Sequence, residues 1–212
     1  MVKNPDILSA DELFNDLSSK FIEDKDLLKK AYNFASDGHI NQKRASGEPY
    51  ITHPLQVALY LSDLSMDLET IIAAILHDLI EDTDITYKNI KKEFGSDVAN
   101  IVDGVTKLDR IQYNSNEEAK AEAIRKMVIA MSKDIRVLIL KLADRLHNIQ
   151  TIKYLADYKQ ERIASETLYV YAPLAHRLGL QNIKHILEDV SFGLLHKNQN
   201  MEIESLIEKS AP

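Results

Sequence analysis

Four ionisable residues follow the most apolar stretch of the sequence. Residues 68–76 read LETIIAAIL, and His77, Asp78, Glu81 and Asp82 stand within the next six positions. Burying such side chains costs free energy unless they are paired or coordinate a metal. On one helix, His77 and Glu81 would be a turn apart, as would Asp78 and Asp82. The pattern is typical either of a buried polar site or of a helix whose end simply reaches water.

A further acidic residue comes directly after a second apolar run. Residues 137–142 read VLILKL, and Asp144 stands one helical turn beyond Leu140. Two interpretations are open at this point. Asp144 either forms an ion pair with Arg145 or a neighbouring lysine, or it is a metal ligand.

A histidine begins the helix that follows a glycine- and proline-containing turn. Gly47 and Pro49 precede His53, and Pro54 suits the first turn of a helix. His53 can therefore point into a cleft at the start of that helix, or it can cap the helix without binding a ligand.

Together these segments offer two imidazoles and two carboxylates. Imidazole and carboxylate suit Mn²⁺, Fe²⁺ or Zn²⁺ better than Ca²⁺. Four protein ligands on a six-coordinate ion leave positions for water and for a substrate oxygen. Such an open site polarises a phosphoryl oxygen and lowers the pKa of bound water.

Five segments in collinear order resemble the hydrolase domain of the RelA/SpoT homologue family, whose HD-domain enzymes share the pattern H…HD…D. The resemblance covers about residues 20–195. The segments are RASGEPYITHP (44–54), AAILHDLIEDT (73–83), FGSDVANIVDGVTKL (94–108), LKLADRLHNIQTI (140–152) and YAPLAHRLGL (171–180).

This resemblance implies removal of pyrophosphate from the ribose 3′ position of ppGpp or pppGpp, which gives GDP or GTP. It implies a bound metal, with Mn²⁺ expected ahead of Zn²⁺ or Fe²⁺. The implied metal ligands are His53, His77, Asp78 and Asp144. The family's catalytic acidic pair corresponds to Glu81 and Asp82, and members that have lost hydrolysis typically lack this pair. One of the two carboxylates would orient or deprotonate the metal-bound water, and the other would hydrogen-bond it or a ligand histidine.

The resemblance also implies a set of nucleotide contacts. The planar guanidinium of Arg44 suits base stacking or phosphate binding. The implied substrate-binding residues are Lys43, Arg44, Ser46, Asn148, Thr151 and Leu155. Two departures remove cations that the family commonly has, because Ala45 and Gln150 stand where lysine and arginine are usual. These departures bear on substrate affinity, or on the preference between ppGpp and pppGpp, and leave the metal ligands intact.

The elements that must position these residues are predicted to be helical throughout. Glycine and proline are sparse, and apolar residues recur with helical spacing. We therefore expect an all-α fold, an HD-domain helical bundle of about eight to eleven helices. The predicted helices are 11–21, 27–38, 54–61, 68–80, 86–94, 96–108, 117–131, 134–149, 159–177 with a kink or early end at Pro173, 181–195 and 202–209, with polar connections at 39–53 and 109–116.

Composition limits the possible partners. The 212 residues carry 26 Lys and Arg against 33 Asp and Glu, a net charge of −7, and contain no cysteine. An acidic chain is poorly suited to neutralising nucleic-acid phosphates, so direct nucleic-acid binding is not expected. The absence of cysteine excludes disulfides and thiolate zinc sites and is consistent with a reducing cytosol. No apolar run approaches the length of a membrane span, and we expect a cytoplasmic protein.

The domain prediction is a hydrolase domain over 1–196 followed by a C-terminal tail over 197–212, with no room for a synthetase domain. Many members of the family are longer and bifunctional, so we expect a fragment of such a protein, with a natural single-domain hydrolase as the alternative. Two further functions stay open: an HD phosphohydrolase of another nucleotide, and a non-catalytic alarmone-binding sensor.

Overall fold

A computed structural model describes residues 8–109, 125, 129 and 133–210. Every regular element within these residues is helical, apart from an isolated antiparallel bridge between Lys43 and Pro49. The predicted all-α fold class is therefore confirmed. The chain forms two compact units, the first containing the described residues up to Asp144 and the second those from Arg145 onward.

The first unit is built from six complete helices and most of a seventh. Helix α3 packs against α1 and α4, and α4 also packs against α2 and α6. The helices are α1 (Ala10–Lys20), α2 (Lys25–Gly38), α3 (Thr52–Asp63), α4 (Leu68–Leu76), α5 (Leu79–Asp82), α6 (Tyr87–Asp109) and α7 (Ile135–Gln150), the last of which continues into the second unit.

Helix α4 lies in the centre of this unit. Every side chain from Thr70 to Leu76 is buried, which explains the nearly continuous apolar sequence. Asp67 caps the helix by accepting a 2.8 Å hydrogen bond from the backbone N–H of Thr70. The prediction of a single helix over 68–80 is wrong in one respect, because α4 ends at Leu76 and a short α5 begins at Leu79. His77 and Asp78 therefore lie at the junction of two helices.

Two glycines allow helices to approach each other closely, and one of them, Gly38, lies beside this junction. A Cβ atom on Gly38 would lie 2.5 Å from Cδ2 of Leu79, and one on Gly104 would lie 2.7 Å from Cγ2 of Val137. Gly38 was predicted to end its helix, and it is the last residue of α2. Its packing against Leu79 supplies a second reason for glycine at that position.

Two other predicted interruptions are present. Gly95 has a φ of +90° and breaks the helical geometry inside α6, so the predicted segments on either side are separated there. In the second unit, the predicted helix over 159–177 is interrupted by a π-helical stretch, Thr167–Tyr171, just before Pro173. Proline cannot donate the backbone hydrogen bond that a continuous helix would need. The predicted connection 109–116 and helix 117–131 lie largely outside the described residues.

The second unit continues from the end of α7. Its last helix begins five residues earlier than the sequence predicted, and the proposed boundary at residue 196 stays a prediction. The remaining helices are α8 (Asp157–Glu166), α9 (Ala172–Arg177), α10 (Gln181–Leu195) and α11 (Lys197–Ser210). Among the described residues, none of the helices is both long and apolar enough to cross a bilayer.

Candidate metal centre

Three side chains that the sequence singled out converge in the first unit. One ligand atom each from His53, His77 and Asp144 can be chosen so that all three lie within 4.8 Å of one another. Nε2 of His53 is 3.1 Å from Oδ1 of Asp144, and Nε2 of His77 is 3.9 Å from the same oxygen. All three residues are buried. Three segments far apart in sequence thus bring two imidazoles and a carboxylate to one point.

The fourth predicted ligand borders this group. Oδ1 of Asp78 lies 3.1 Å from Nε2 of His77, and its Oδ2 lies 3.6 Å from Nε2 of His53. Its side chain is 16% exposed, whereas that of Asp144 is 5% exposed. We call His53, His77, Asp78 and Asp144 the metal cluster. Asp78 stands on its more open side.

The protonation of His77 fits a metal ligand. Its Nδ1 lies 2.7 Å from the carbonyl oxygen of Ala74 and must donate to it, because a carbonyl only accepts. When the ring is neutral, Nε2 carries a lone pair. Within the described part of the chain, this buried Nε2 makes no hydrogen bond, although Oδ1 of Asp78 lies 3.1 Å away. Such an atom is costly in an empty protein interior and is satisfied when it binds a cation.

Asp144 also forms the ion pair that the sequence left open. Its Oδ2 lies 2.6 Å from Nζ of Lys141, one turn earlier on α7, and both side chains are buried. Arg145, the other candidate partner, instead contacts Glu166 at 3.2 Å and lies over the ring of Tyr171 at 4.2 Å. The two interpretations of Asp144 are compatible, because one oxygen contacts the lysine while the other lies between the histidines.

The charges of the cluster differ from residue to residue. Burial opposes ionisation of Asp144, but Lys141, His53 and His77 together hold the pKa of that carboxyl well below its usual range. Burial and the nearby carboxylate of Asp144 raise the pKa of Asp78 above its usual value. For His77, burial disfavours the cation, yet the carboxylates of Asp78 and Asp144 outweigh it and raise the pKa. Two carboxylates against one ammonium leave negative charge that a divalent cation would balance.

The predicted catalytic pair lies on α5, directly beyond the cluster. Both Glu81 and Asp82 are exposed. Oδ2 of Asp82 accepts a hydrogen bond from the hydroxyl of Tyr50 at 3.1 Å, and the same hydroxyl is 2.8 Å from Oδ2 of Asp78. Asp82 is therefore connected to the metal cluster through one tyrosine.

Three of the predicted substrate-binding residues stand on a tight turn, residues 42–50, which we call the basic loop. The backbone N–H of Arg44 donates to Glu48 at 3.0 Å, and that of Gly47 donates back to Arg44 at 2.9 Å. Gly47 has a φ of +99°, a conformation that favours glycine. Lys43 is exposed, and Arg44 and Ser46 are half-buried.

The other three predicted substrate-binding residues belong to the second unit. Asn148 is half-buried near the end of α7, and the hydroxyl of Thr151 donates to the carbonyl of His147 at 2.9 Å. Leu155 is half-buried, and its carbonyl accepts from Gln160 at 2.7 Å. Their assignment to the substrate stays a prediction.

Sequence reasoning missed one residue beside the cluster and named another only in general terms. Lys141 is the neighbouring lysine that was offered as a partner of Asp144, and its place inside the run VLILKL is a signal of a buried, paired cation. Tyr50 was missed, because the sequence contains no signal for its contacts with Asp78 and Asp82. His39 is buried against the ring of Tyr50, with ring centroids 4.6 Å apart.

The sequence is similar to several known proteins. A protein-family model described as an HD domain matches residues 31–181. A GTP pyrophosphokinase of Streptomyces coelicolor is 51% identical over 87% of this chain and 22% of its own length. The bifunctional (p)ppGpp synthase/hydrolase SpoT of Escherichia coli is 46% identical over 92% of this chain and 28% of its own. A guanosine-3′,5′-bis(diphosphate) 3′-pyrophosphohydrolase of Aquifex aeolicus is 46% identical over 96% of this chain and 29% of its own.

A solved structure supports the fold. It is that of a metazoan orthologue of SpoT described as hydrolysing ppGpp, and it superposes with a TM-score of 0.53 at 24% identity, covering 81% of this chain and 95% of its own. The present chain spans between 22% and 29% of the length of the three relatives named above. The matched model and these relatives together lead to one conclusion: the chain belongs to the HD-domain family, and over most of its length it is similar to RelA/SpoT homologues.

Proposed function

We propose that this chain hydrolyses the 3′-pyrophosphate of ppGpp or pppGpp in a metal-dependent reaction that yields GDP or GTP and pyrophosphate. The observation that carries the proposal is the buried trio His53, His77 and Asp144, from each of which one ligand atom can be chosen so that all three lie within 4.8 Å of one another. Relatives described as guanosine-3′,5′-bis(diphosphate) 3′-pyrophosphohydrolases support the choice of substrate.

The four residues of the metal cluster would hold Mn²⁺, ahead of Zn²⁺ or Fe²⁺. A cation bound there supplies Lewis acidity and a water molecule of lowered pKa. The imidazoles bind through neutral nitrogens, and the hydrogen bond from His77 to Ala74 keeps one ring in the required tautomer. Lys141 holds Asp144 in its ionised form, which is the form that binds metal.

Glu81 and Asp82 are the proposed acid–base pair. Their exposure leaves them accessible to water and to a substrate phosphate, and the Tyr50 hydroxyl fixes the carboxylate of Asp82 close to Asp78. One of the pair accepts a proton from the attacking water, and the other hydrogen-bonds it.

Local cations compensate for the acidic chain when the anionic nucleotide binds. Lys43 and Arg44 stand on the basic loop with Ser46 beside them, and we assign all three to the substrate. From the second unit we assign Asn148, Thr151 and Leu155. The charge of −7 and the absence of cysteine support a cytoplasmic enzyme that acts on a small nucleotide.

Product analysis with 3′-labelled ppGpp and Mn²⁺ tests the proposal. We expect labelled pyrophosphate and GDP in equal amounts, and no turnover by His77→Ala. Release of single phosphate, or a preference for nucleotides that lack a 3′-pyrophosphate, would favour an HD phosphohydrolase of another nucleotide. Tight ppGpp binding without turnover would favour a non-catalytic sensor.

A further inference from the structure

Tyr50 is the one described residue whose hydroxyl contacts both a proposed metal ligand and a proposed catalytic carboxylate. Its oxygen lies 2.8 Å from Oδ2 of Asp78 and 3.1 Å from Oδ2 of Asp82. Both distances are those of O–H···O⁻ hydrogen bonds. A phenol has a single hydrogen, so it can donate fully to one carboxylate at a time.

The hydroxyl of Tyr50 remains a donor. Burial, together with the carboxylates of Asp78 and Asp82, raises the pKa of Tyr50 well above its usual range. The residue therefore keeps its proton at every pH at which the protein works. When Asp78 is engaged by a cation its oxygens become weaker acceptors, and Asp82 becomes the preferred partner.

The ring of Tyr50 is fixed on two sides. The imidazole of His39 stacks on it at 4.6 Å with an interplanar angle of 30°, and the guanidinium of Arg44 lies 5.7 Å from the ring centroid. The backbone N–H of Tyr50 donates to the carbonyl of Gln42 at 3.1 Å. The hydroxyl is thus held by a ring that has little rotational freedom.

A second contact joins the first residue of the basic loop, Gln42, to Asp82. Nε2 of Gln42 donates to the backbone carbonyl of Asp82 at 2.8 Å. This contact orients the amide so that its Oε1 accepts from Nδ1 of His39 at 2.7 Å. Both ends of the basic loop are therefore tied to Asp82, one through its backbone and the other through its carboxylate.

We infer that Tyr50 is a positioning residue of the hydrolase, which holds the carboxylates of Asp78 and Asp82 in their working orientation. This inference rests on the proposed function, because Asp82 is the proposed acid–base group and Asp78 a proposed metal ligand. Tyr50 acts through these two residues, and it links the orientation of Asp82 to the same loop that carries Arg44.

Tyr50→Phe tests the inference, since it removes the hydroxyl and keeps the ring against His39 and Arg44. We expect kcat for ppGpp to fall about tenfold or more with KM changed less than about twofold, as when an outer hydrogen-bond partner of a site is removed. The matched control is Tyr60→Phe, because Tyr60 is a half-buried tyrosine of α3 whose hydroxyl bonds to Gln56. The control should retain the kcat of the unchanged protein.

Two further measurements separate positioning from a general loss of structure. In an Asp82→Asn background and at saturating Mn²⁺, which removes the contribution of Asp78 to metal affinity, Tyr50→Phe should lower kcat by less than about twofold, because the carboxylate that it orients for proton transfer is absent. The affinity of the metal-free protein for Mn²⁺, measured by electron paramagnetic resonance, should weaken about tenfold in Tyr50→Phe and stay unchanged in Tyr60→Phe.

The outcomes distinguish the two proposals. An inactive unchanged protein overturns the proposed function, and the Mn²⁺ titration, which needs no turnover, then decides alone whether Tyr50 positions Asp78. An active protein whose kcat is the same with Tyr50→Phe, or falls equally with and without Asp82→Asn, overturns the inference.

Discussion

The metal cluster and the basic loop, both in the first unit, are built in opposite ways. The cluster is assembled from side chains on three separate segments, and the exposed fraction of its ligands ranges from 0% to 16%. The basic loop presents its cations on a short turn at the surface, held by a few backbone hydrogen bonds. Because the cluster is buried, its stability depends strongly on each paired residue. Because the loop is exposed, its charged residues can be substituted at little structural cost.

This contrast indicates that the two regions would serve different parts of the proposed reaction. A buried site fixes the position and charge of the reacting groups before substrate arrives. An exposed loop contributes attraction and selectivity that vary with single charges. Substitutions in the cluster should therefore act on metal binding and turnover together, and substitutions of the charged residues Lys43 and Arg44 in the loop on substrate affinity.

The largest effect is expected from the buried ligands. His77→Ala and Asp144→Ala should each abolish Mn²⁺ binding and hydrolysis together. Asp144→Ala also leaves Lys141 buried without its carboxylate, and we expect the free energy of unfolding to fall by about 3–5 kcal/mol. Calorimetric titration with Mn²⁺ and urea unfolding measure the two effects.

The control for these variants is Asp103→Ala, which removes a half-buried carboxylate paired with the exposed Lys107 on α6. It should alter neither metal binding nor stability measurably. Full activity of His77→Ala would contradict the assignment of metal binding and turnover to the cluster.

Asp82→Asn is expected to separate turnover from metal binding. The substitution keeps the shape of the side chain and its ability to accept from Tyr50, but removes the base. We expect kcat to fall about 10²–10⁴-fold, as for loss of an acid–base group, with the Mn²⁺ affinity nearly unchanged. Rapid-quench kinetics and a metal titration give the two values. If kcat stays intact, the acid–base role belongs to Glu81, and Glu81→Gln should show the loss instead.

Metal removal should lower the stability of the first unit. With free Mn²⁺ at 100 times its dissociation constant, binding stabilises the folded state by about 2.7 kcal/mol, which corresponds to about 5–10 °C in melting temperature. Differential scanning calorimetry with and without EDTA measures this shift. His77→Ala serves as the control, because EDTA should leave its melting temperature unchanged. If EDTA lowers the melting temperature of both proteins equally, the stabilising ion does not bind at the metal cluster.

The helices and the four cluster residues could be predicted because their signals are local. Ionisable side chains next to runs such as IIAAIL and VLILKL must be paired or coordinated, and that constraint is visible in one sequence. Gly95 and Pro173 marked helix interruptions for the same reason. The break between Leu76 and Leu79 was not predictable, because both halves have helical sequence and the junction is set by tertiary packing.

The hydrogen bonds of Tyr50 could not be predicted from the sequence. Its hydroxyl contacts residues 28 and 32 positions away, and no spacing rule connects them. For Asp144 the sequence left Arg145 and a neighbouring lysine open as partners, and the turn of α7 selects Lys141, three residues earlier. A role that depends on one long-range hydrogen bond can be recognised only from the folded structure.

Arg44→Ala is expected to act on substrate affinity. The guanidinium of half-buried Arg44 lies 5.7 Å from the ring centroid of Tyr50, and its planar group suits stacking on a nucleotide base or binding of a phosphate. We expect KM for ppGpp to rise about tenfold with little change in kcat, which corresponds to one charge-assisted contact of about 1.4 kcal/mol. Arg162→Ala, at an exposed position of α8, controls for the loss of one positive charge. A fall in kcat without a change in KM would indicate that Arg44 acts on turnover, as the cluster residues do, and not on substrate affinity.

Ala45→Lys should produce the smallest effect, and it tests most directly whether the loop contributes to substrate affinity. Ala45 is exposed on the basic loop, where members of the family commonly have lysine. Because an added surface charge contributes about 0.2–1 kcal/mol to an ionic contact, we expect KM to fall about two- to fivefold at low salt. The gain should shrink as ionic strength rises, since the Debye length falls to about 8 Å at 0.15 M. Gln199→Lys on α11 adds the same charge elsewhere and should leave KM unchanged. Equal effects of both lysines would show that the net charge of the chain governs affinity, whereas an effect confined to Ala45→Lys assigns it to the loop.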